Sequence, residues 1–119
     1  MKIMGEKTEL LQRLVSAADM RQNVVSQNIA NVNTPGYKAQ EVRFEDQLAA
    51  ELERPAASVA GATQPQIAAT AGLQTRNDGN NVDLDREVGE LNKNAMMMQT
   101  YLRMIGAEMR MMRDAMDGP

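Results

Sequence analysis

The chain has 119 residues, with eleven Met, two Tyr and one Phe but no Trp, Cys or His. That leaves room for one small domain, drawn out rather than filled with aromatic volume, and it removes thiol and imidazole catalysis, disulfides and the usual zinc sites. A net charge of -3 and a pI near 4.9 argue against a nucleic-acid surface, the more so with so few rings for base stacking.

The first segment, residues 1–33, reads as a helix from Lys2 or Glu6 to about Asn31. Met4, Leu11, Ala18, Val25 and Val32 recur every seven residues, with Val15 and Ile29 between them and Thr8 and Gln22 as polar exceptions. Its opening, MKIMGEKTEL, lacks the continuous apolar stretch of a cleaved secretory signal. Asn28, Asn31 and Asn33 suit caps and turns better than helix interiors. Thr34 precedes Pro35 and is pushed out of the helical region. Pro35-Gly36 predicts a type II turn, proline fixing its first central position and glycine taking positive φ at its second.

Residues 34–52 continue as an extended or irregular stretch, Tyr37 to Phe44, and a brief helix from Phe44 to Leu52. Over residues 53–80 the composition changes. Pro55, Gly61, Pro65, Gly72 and Gly79 punctuate a run in which Val59, Ile67 and Leu73 are the larger apolar groups. Such a segment buries too little surface to offset its ordering. It predicts a flexible loop in the isolated chain, with room for a short hairpin once assembled, closed by a turn at Asn77-Asp78-Gly79-Asn80.

Residues 81–119 carry the strongest pattern. Leu84, Val88, Leu91, Ala95, Met98, Leu102, Ile105, Met109, Met112 and Met116 alternate spacings of four and three without a miss, which is a heptad seam. One helix is predicted from about Asp83 to Met116, roughly 50 Å long, capped by Asp83 or Asp85. A helix with so long an apolar seam needs a partner. The first helix is the natural one, and together they predict an all-α chain whose terminal helices pair as an antiparallel coiled-coil-like body joined by a flexible loop. The terminal helices are expected to stay largely disordered until neighbours cover them.

The chemistry-bearing patterns are weak. Asn81, Asp83 and Asp85 sit at calcium-loop spacing, but Arg86 stands where the loop needs glycine and Asn92 where it needs a bidentate glutamate. Paired carboxylates lack the sheltered cleft that acid–base work requires. Arg103, Arg110 and Arg113 are interleaved with Glu108, Asp114 and Asp117 and read as a solvated mixed-charge face. No cofactor, metal or nucleic acid is expected, and no apolar run approaches the ~18 residues of a membrane span.

One stretch is more specific. Asn28, Ile29, Ala30, Asn31, Val32, Asn33, Thr34, Pro35, Gly36, Tyr37 and Lys38, preceded by Val24 to Gln27, resemble the N-terminal signature of bacterial flagellar axial proteins, the rod and hook family. Ala39 to Leu48, Asn81 to Glu87 and Asn94-Ala95 extend the resemblance over nearly the whole chain apart from the loop. Met98-Gln99 departs from it, standing where that family carries Tyr-Gln.

The resemblance implies a non-enzymatic rod subunit of the basal body that stacks helically on other copies of itself, links the membrane ring to the distal rod and transmits torque. It implies as partners other rod subunits, a small adaptor at the rod base, the membrane (MS) ring protein and, transiently, the export gate, reached without a cleaved signal. Phe44-x-x-x-Leu48 resembles the short apolar signal by which such subunits dock on that gate. The assembly seam is expected to comprise Leu11, Val25, Ile29, Val32, Leu84, Val88, Leu91, Met98, Leu102, Ile105, Met109 and Met112. A different rod-family subunit, or a cytosolic helical adaptor that closes as a dimer, is the alternative.

Overall fold

The computed structural model describes residues 2–53 and 63–118. In chain order they form α1 (Lys2–Ala30), β1 (Gln40–Arg43), α2 (Glu45–Leu52), β2 (Gln66–Ala69) and α3 (Leu84–Asp117). The body measures 66 × 30 × 15 Å. That elongation follows from two helices of 29 and 34 residues lying side by side with little between them. Contacts late in α1 fall early in α3: Asn28 meets Glu87, whereas Ala18 and Gln22 meet Asn94.

The predicted boundaries follow from local chemistry. Asp83 caps α3, its carboxylate accepting from Arg86 N at 3.2 Å, and Asp85 and Glu87 follow in the first turn, where negative charge meets the positive end of the helix dipole. The last turn of α1 loosens as Val32 N bonds Ile29 O at 3.2 Å and Thr34 N bonds Asn31 O at 3.0 Å. Pro35-Gly36 then turns the chain, with Gly36 at φ 76° and Tyr37 N donating to Thr34 O at 3.2 Å.

The all-α expectation is corrected by a two-stranded antiparallel sheet, in which Gln40 faces Ala69 and Val42 faces Ile67. The strand of the 53–80 segment pairs with β1 rather than within a local hairpin. Its ladder is made by backbone groups and asks little of apolar side chains; Ile67 itself is 52% exposed. Composition therefore gave no sign of the strand Gln66–Ala69. Residues 54–62 of the predicted loop lie outside the described residues.

A small apolar core sits where α2 lies across α1. Phe44 and Leu48 are buried against Ala17, with Leu10 and Leu14 packed beside them. Two ion pairs brace it. Arg13 holds Glu51 at 3.0 Å, and Arg21 grips both oxygens of Glu45 at 2.8 and 2.7 Å while also donating to Val42 O.

Candidate functional site: an asparagine clasp and an uncovered helix face

The stretch Asn28 to Lys38 is the joint between α1, β1 and the start of α3. Asn28 is fully buried, and every atom of its carboxamide is used. Its Nδ2 donates to Gln40 O at 2.8 Å and to Glu87 Oε2 at 3.0 Å, while its Oδ1 accepts from Gln40 N at 3.1 Å and from the Tyr37 hydroxyl at 3.2 Å. A side chain with two donors and two acceptor lone pairs is what this position requires. Glu87, also buried, is shared between Asn28 and Arg86, whose guanidinium lies 3.4 Å away.

A second layer comes from the approach to α3. Asn80, fully buried, donates to Asn31 O and Thr34 O, both at 2.8 Å, and accepts from Val82 N. Asn81 Oδ1 takes the Ala39 N–H at 2.7 Å, and Asn81 N donates to Tyr37 O at 3.2 Å. The turns at Pro35-Gly36 and Asp78-Gly79 touch directly. Gly36 N bonds Asp78 O at 2.9 Å, Lys38 reaches Gly79 O, and a Cβ on Gly79 would come within 3.3 Å of Gly36 Cα. Arg76 binds Val32 O and Val82 O across the same joint. In a chain with so few aromatic groups, these polar ties join the end of α1 to the start of α3.

Electrostatics follow the packing. Burial pushes the Tyr37 phenol above its ordinary value, and the Glu87 charge adds to that. For Glu45, burial alone would raise the carboxyl, but the hydrogen bonds and charge of Arg21 outweigh it and hold the group below the usual carboxylate range. Tyr101 is raised chiefly by burial and further by Glu45, against the opposing pull of Arg21.

The predicted seam divides. In α1, Leu11 and Val25 are buried and Ile29 and Val32 half-buried. In α3, Leu91, Met98, Ile105 and Met112, seven residues apart, are half-covered by the chain itself. The interleaved column stays uncovered: Val88 is 44% exposed, Leu102 52%, Met109 54% and Met116 76%, with Ala95 exposed between them and Leu84, 46% exposed, beside its start. The buried residues of α3 are Glu87 and Asn94. Asn94 donates to Ala18 O at 2.8 Å and to Gln22 Oε1 at 3.1 Å, so the polar exception of the α1 seam meets a polar residue of α3.

The other candidate residues are placed as follows. Ala30, Thr34, Pro35, Gly36 and Lys38 are exposed around the joint and Asn31 and Tyr37 half-buried, while Phe44 and Leu48 are 1% and 5% exposed, within the core and not on the surface. Sequence reasoning missed Glu87, Asn80 and Asn94 as buried hubs. The signal was present in Asn80-Asn81, an asparagine pair resembling that of Asn31 and Asn33. Among the described residues no three His, Cys, Asp or Glu side chains gather to hold a metal, and no helix is long and apolar enough to cross a membrane.

A family model described as flagella basal body rod protein matches residues 15–38, the end of α1 and the joint. The chain is 31% identical to the flagellar basal body rod protein FlgB of Escherichia coli strain K12, covering 88% of each sequence. It is 30% identical to FlgB of Yersinia enterocolitica, over 83% of this chain and 85% of that one. With FlgB of Bacillus subtilis strain 168 the identity is 28%, over 99% of this chain and 98% of the relative.

Proposed function

The chain belongs to the FlgB family of flagellar basal body rod proteins, and from that premise we propose that its uncovered α3 face is the surface on which the proximal rod is built. The protein is a structural subunit of the basal body and not an enzyme. The observation that carries the proposal is the exposed column Val88, Leu102, Met109 and Met116 on a helix whose opposite side already packs on α1. An apolar stripe of this length, left in water, marks a contact surface.

In this reading α1 and α3 form an antiparallel, coiled-coil-like inner body. The outward column of one copy meets a different surface of the next, and contacts between unlike surfaces that do not close generate helical assemblies. Methionine suits such a column because its unbranched thioether adapts to neighbours that are not quite equivalent. The half-covered residues Leu91, Met98, Ile105 and Met112 then become fully buried. The partners are other copies, fellow rod subunits, the rod-base adaptor and the MS ring protein, and the assembled rod links that ring to the distal rod and carries torque. Before assembly the clasp holds its end of the helix pair, while α3 beyond Asn94, which has no buried residue of its own, frays.

The subunit reaches its place through the export gate. Phe44 and Leu48 serve as the docking signal while the chain is unfolded, since the folded core hides both. Leu102→Asp tests the central reading. It should leave the helicity of the purified chain unchanged and abolish its incorporation into basal bodies, and normal incorporation would refute it. A closed adaptor dimer would instead melt cooperatively as a discrete two-chain species.

A further inference from the structure

Between β1 and the flank of α3 opens a cleft of about 300 Å³, walled by Glu41, Glu45, Glu87 and Glu90 against Arg21, Arg86 and Lys93. Four carboxylates thus face three cations, and the pairing is uneven. Arg21 is engaged by both oxygens of Glu45, and Arg86 is divided between Glu87 at 3.4 Å and Glu41 at 4.0 Å. That leaves the Glu90 carboxylate and the exposed Lys93 ammonium, neither with a side-chain hydrogen bond or ion pair among the described residues, and one negative charge in excess overall.

Asn94, on the same wall, supplies an independent sign. It is 1% exposed, and its Nδ2 is committed to Ala18 O and Gln22 Oε1. The backbone acceptor fixes which way the carboxamide points, and its Oδ1 is left without a donor. A buried acceptor without a partner is costly, and native structures rarely leave one so. What Asn94 lacks is a donor, and the cleft carries one carboxylate more than it has cations.

We propose that this cleft is a socket for a guanidinium from a second copy of the chain, supplied by the face of α3 that bears Arg103 and Arg110. Those two arginines lie seven residues apart, hence on one helix face. Both are exposed and neither side chain has an ion pair or hydrogen bond among the described residues. A guanidinium offers five N–H donors in a rigid fork, enough to take both oxygens of the Glu90 carboxylate with donors left over for the Asn94 wall of the cleft. Donor face and socket are different surfaces of one chain, so the contact is heterologous and propagates from copy to copy. The inference rests on the rod-subunit reading and names one of the contacts that reading requires.

The test uses the full chain. Cells lacking the subunit are complemented with wild type, with Glu90→Arg, with Arg103→Glu plus Arg110→Glu, or with all three changes, and the chain in purified basal bodies is quantified. Each reversal should lower incorporation by at least about tenfold, and the triple variant should return to within about threefold of wild type. Glu90→Arg incorporating like wild type, or the triple variant staying as low as its parents, overturns the socket. Wild type absent from basal bodies overturns the rod reading itself. Because the chain has no cysteine, Glu90→Cys with Arg110→Cys gives a second readout that needs no charge reversal. Disulfide-linked ladders in assembled rods support the contact, and their absence overturns it.

Discussion

Replacing Asn28 with alanine removes four hydrogen bonds at a fully buried position, two donated and two accepted. The groups left behind are the N–H and C=O of Gln40, the Tyr37 hydroxyl and one oxygen of Glu87. Each lost bond costs about 1 kcal/mol net, and a stranded buried partner costs more. Glu87 keeps Arg86 at 3.4 Å, so its charge is not wholly abandoned. The total is about 3–5 kcal/mol, a large share of the roughly 5–15 kcal/mol that holds a domain together. With a urea dependence of about 1–1.5 kcal/mol per molar for so small a chain, the midpoint of the far-UV circular dichroism transition should fall by about 2–5 M. Asn28→Leu combined with Glu87→Met, which removes both polar partners, should recover part of the loss. A loss below about 1 kcal/mol in Asn28→Ala would mean that water replaces the carboxamide, and that the clasp does not hold the joint.

The core, the turn and the surface make their own predictions. Phe44→Ala, at a 1% exposed position under α2, should cost about 3–5 kcal/mol in the same urea titration; export below wild type in a variant restabilised elsewhere would support the docking role, and wild-type export would end it. Gly79→Ala should cost about 1–2 kcal/mol, because φ there is 86° and the new methyl would press on Gly36. The Glu45 carboxyl is held below its unfolded value of 4.5, so its contribution is present above that pH and lost as pH falls through the folded value. The urea midpoint should therefore drop on acidification below about pH 4.5, and Glu45→Gln should flatten that drop.

The helices were legible because their signals are local. An unbroken apolar period, an aspartate before Leu84 and a Thr-Pro pair after α1 act within a few residues of where they stand. The strand β2 was not, since backbone ladders leave no apolar pattern when the strand lies at the surface, as the exposure of Ile67 shows. The seam was half legible. Period counting treats polar positions as solvated, yet the inner face of α3 centres on Glu87 and Asn94, whose burial depends on Asn28 and Gln22 some 59 and 72 residues away in the chain. With Glu87 and Asn94 on the buried side of α3, Val88, Leu102, Met109 and Met116 stay uncovered. The asparagines of the Asn28 to Lys38 stretch were readable as helix stoppers and as a family pattern. Their function as a hub needed the partner strand and Asn80 in place.

If the rod is built on α3, Leu102 and its column are covered by neighbouring subunits and not by their own chain. In a protein without native cysteine, Leu102→Cys places one thiol on that column, and its rate of maleimide labelling can be compared between the purified chain and intact basal bodies. Rapid labelling of the purified chain with protection in the basal body is the predicted result. Equal labelling in both states would contradict it.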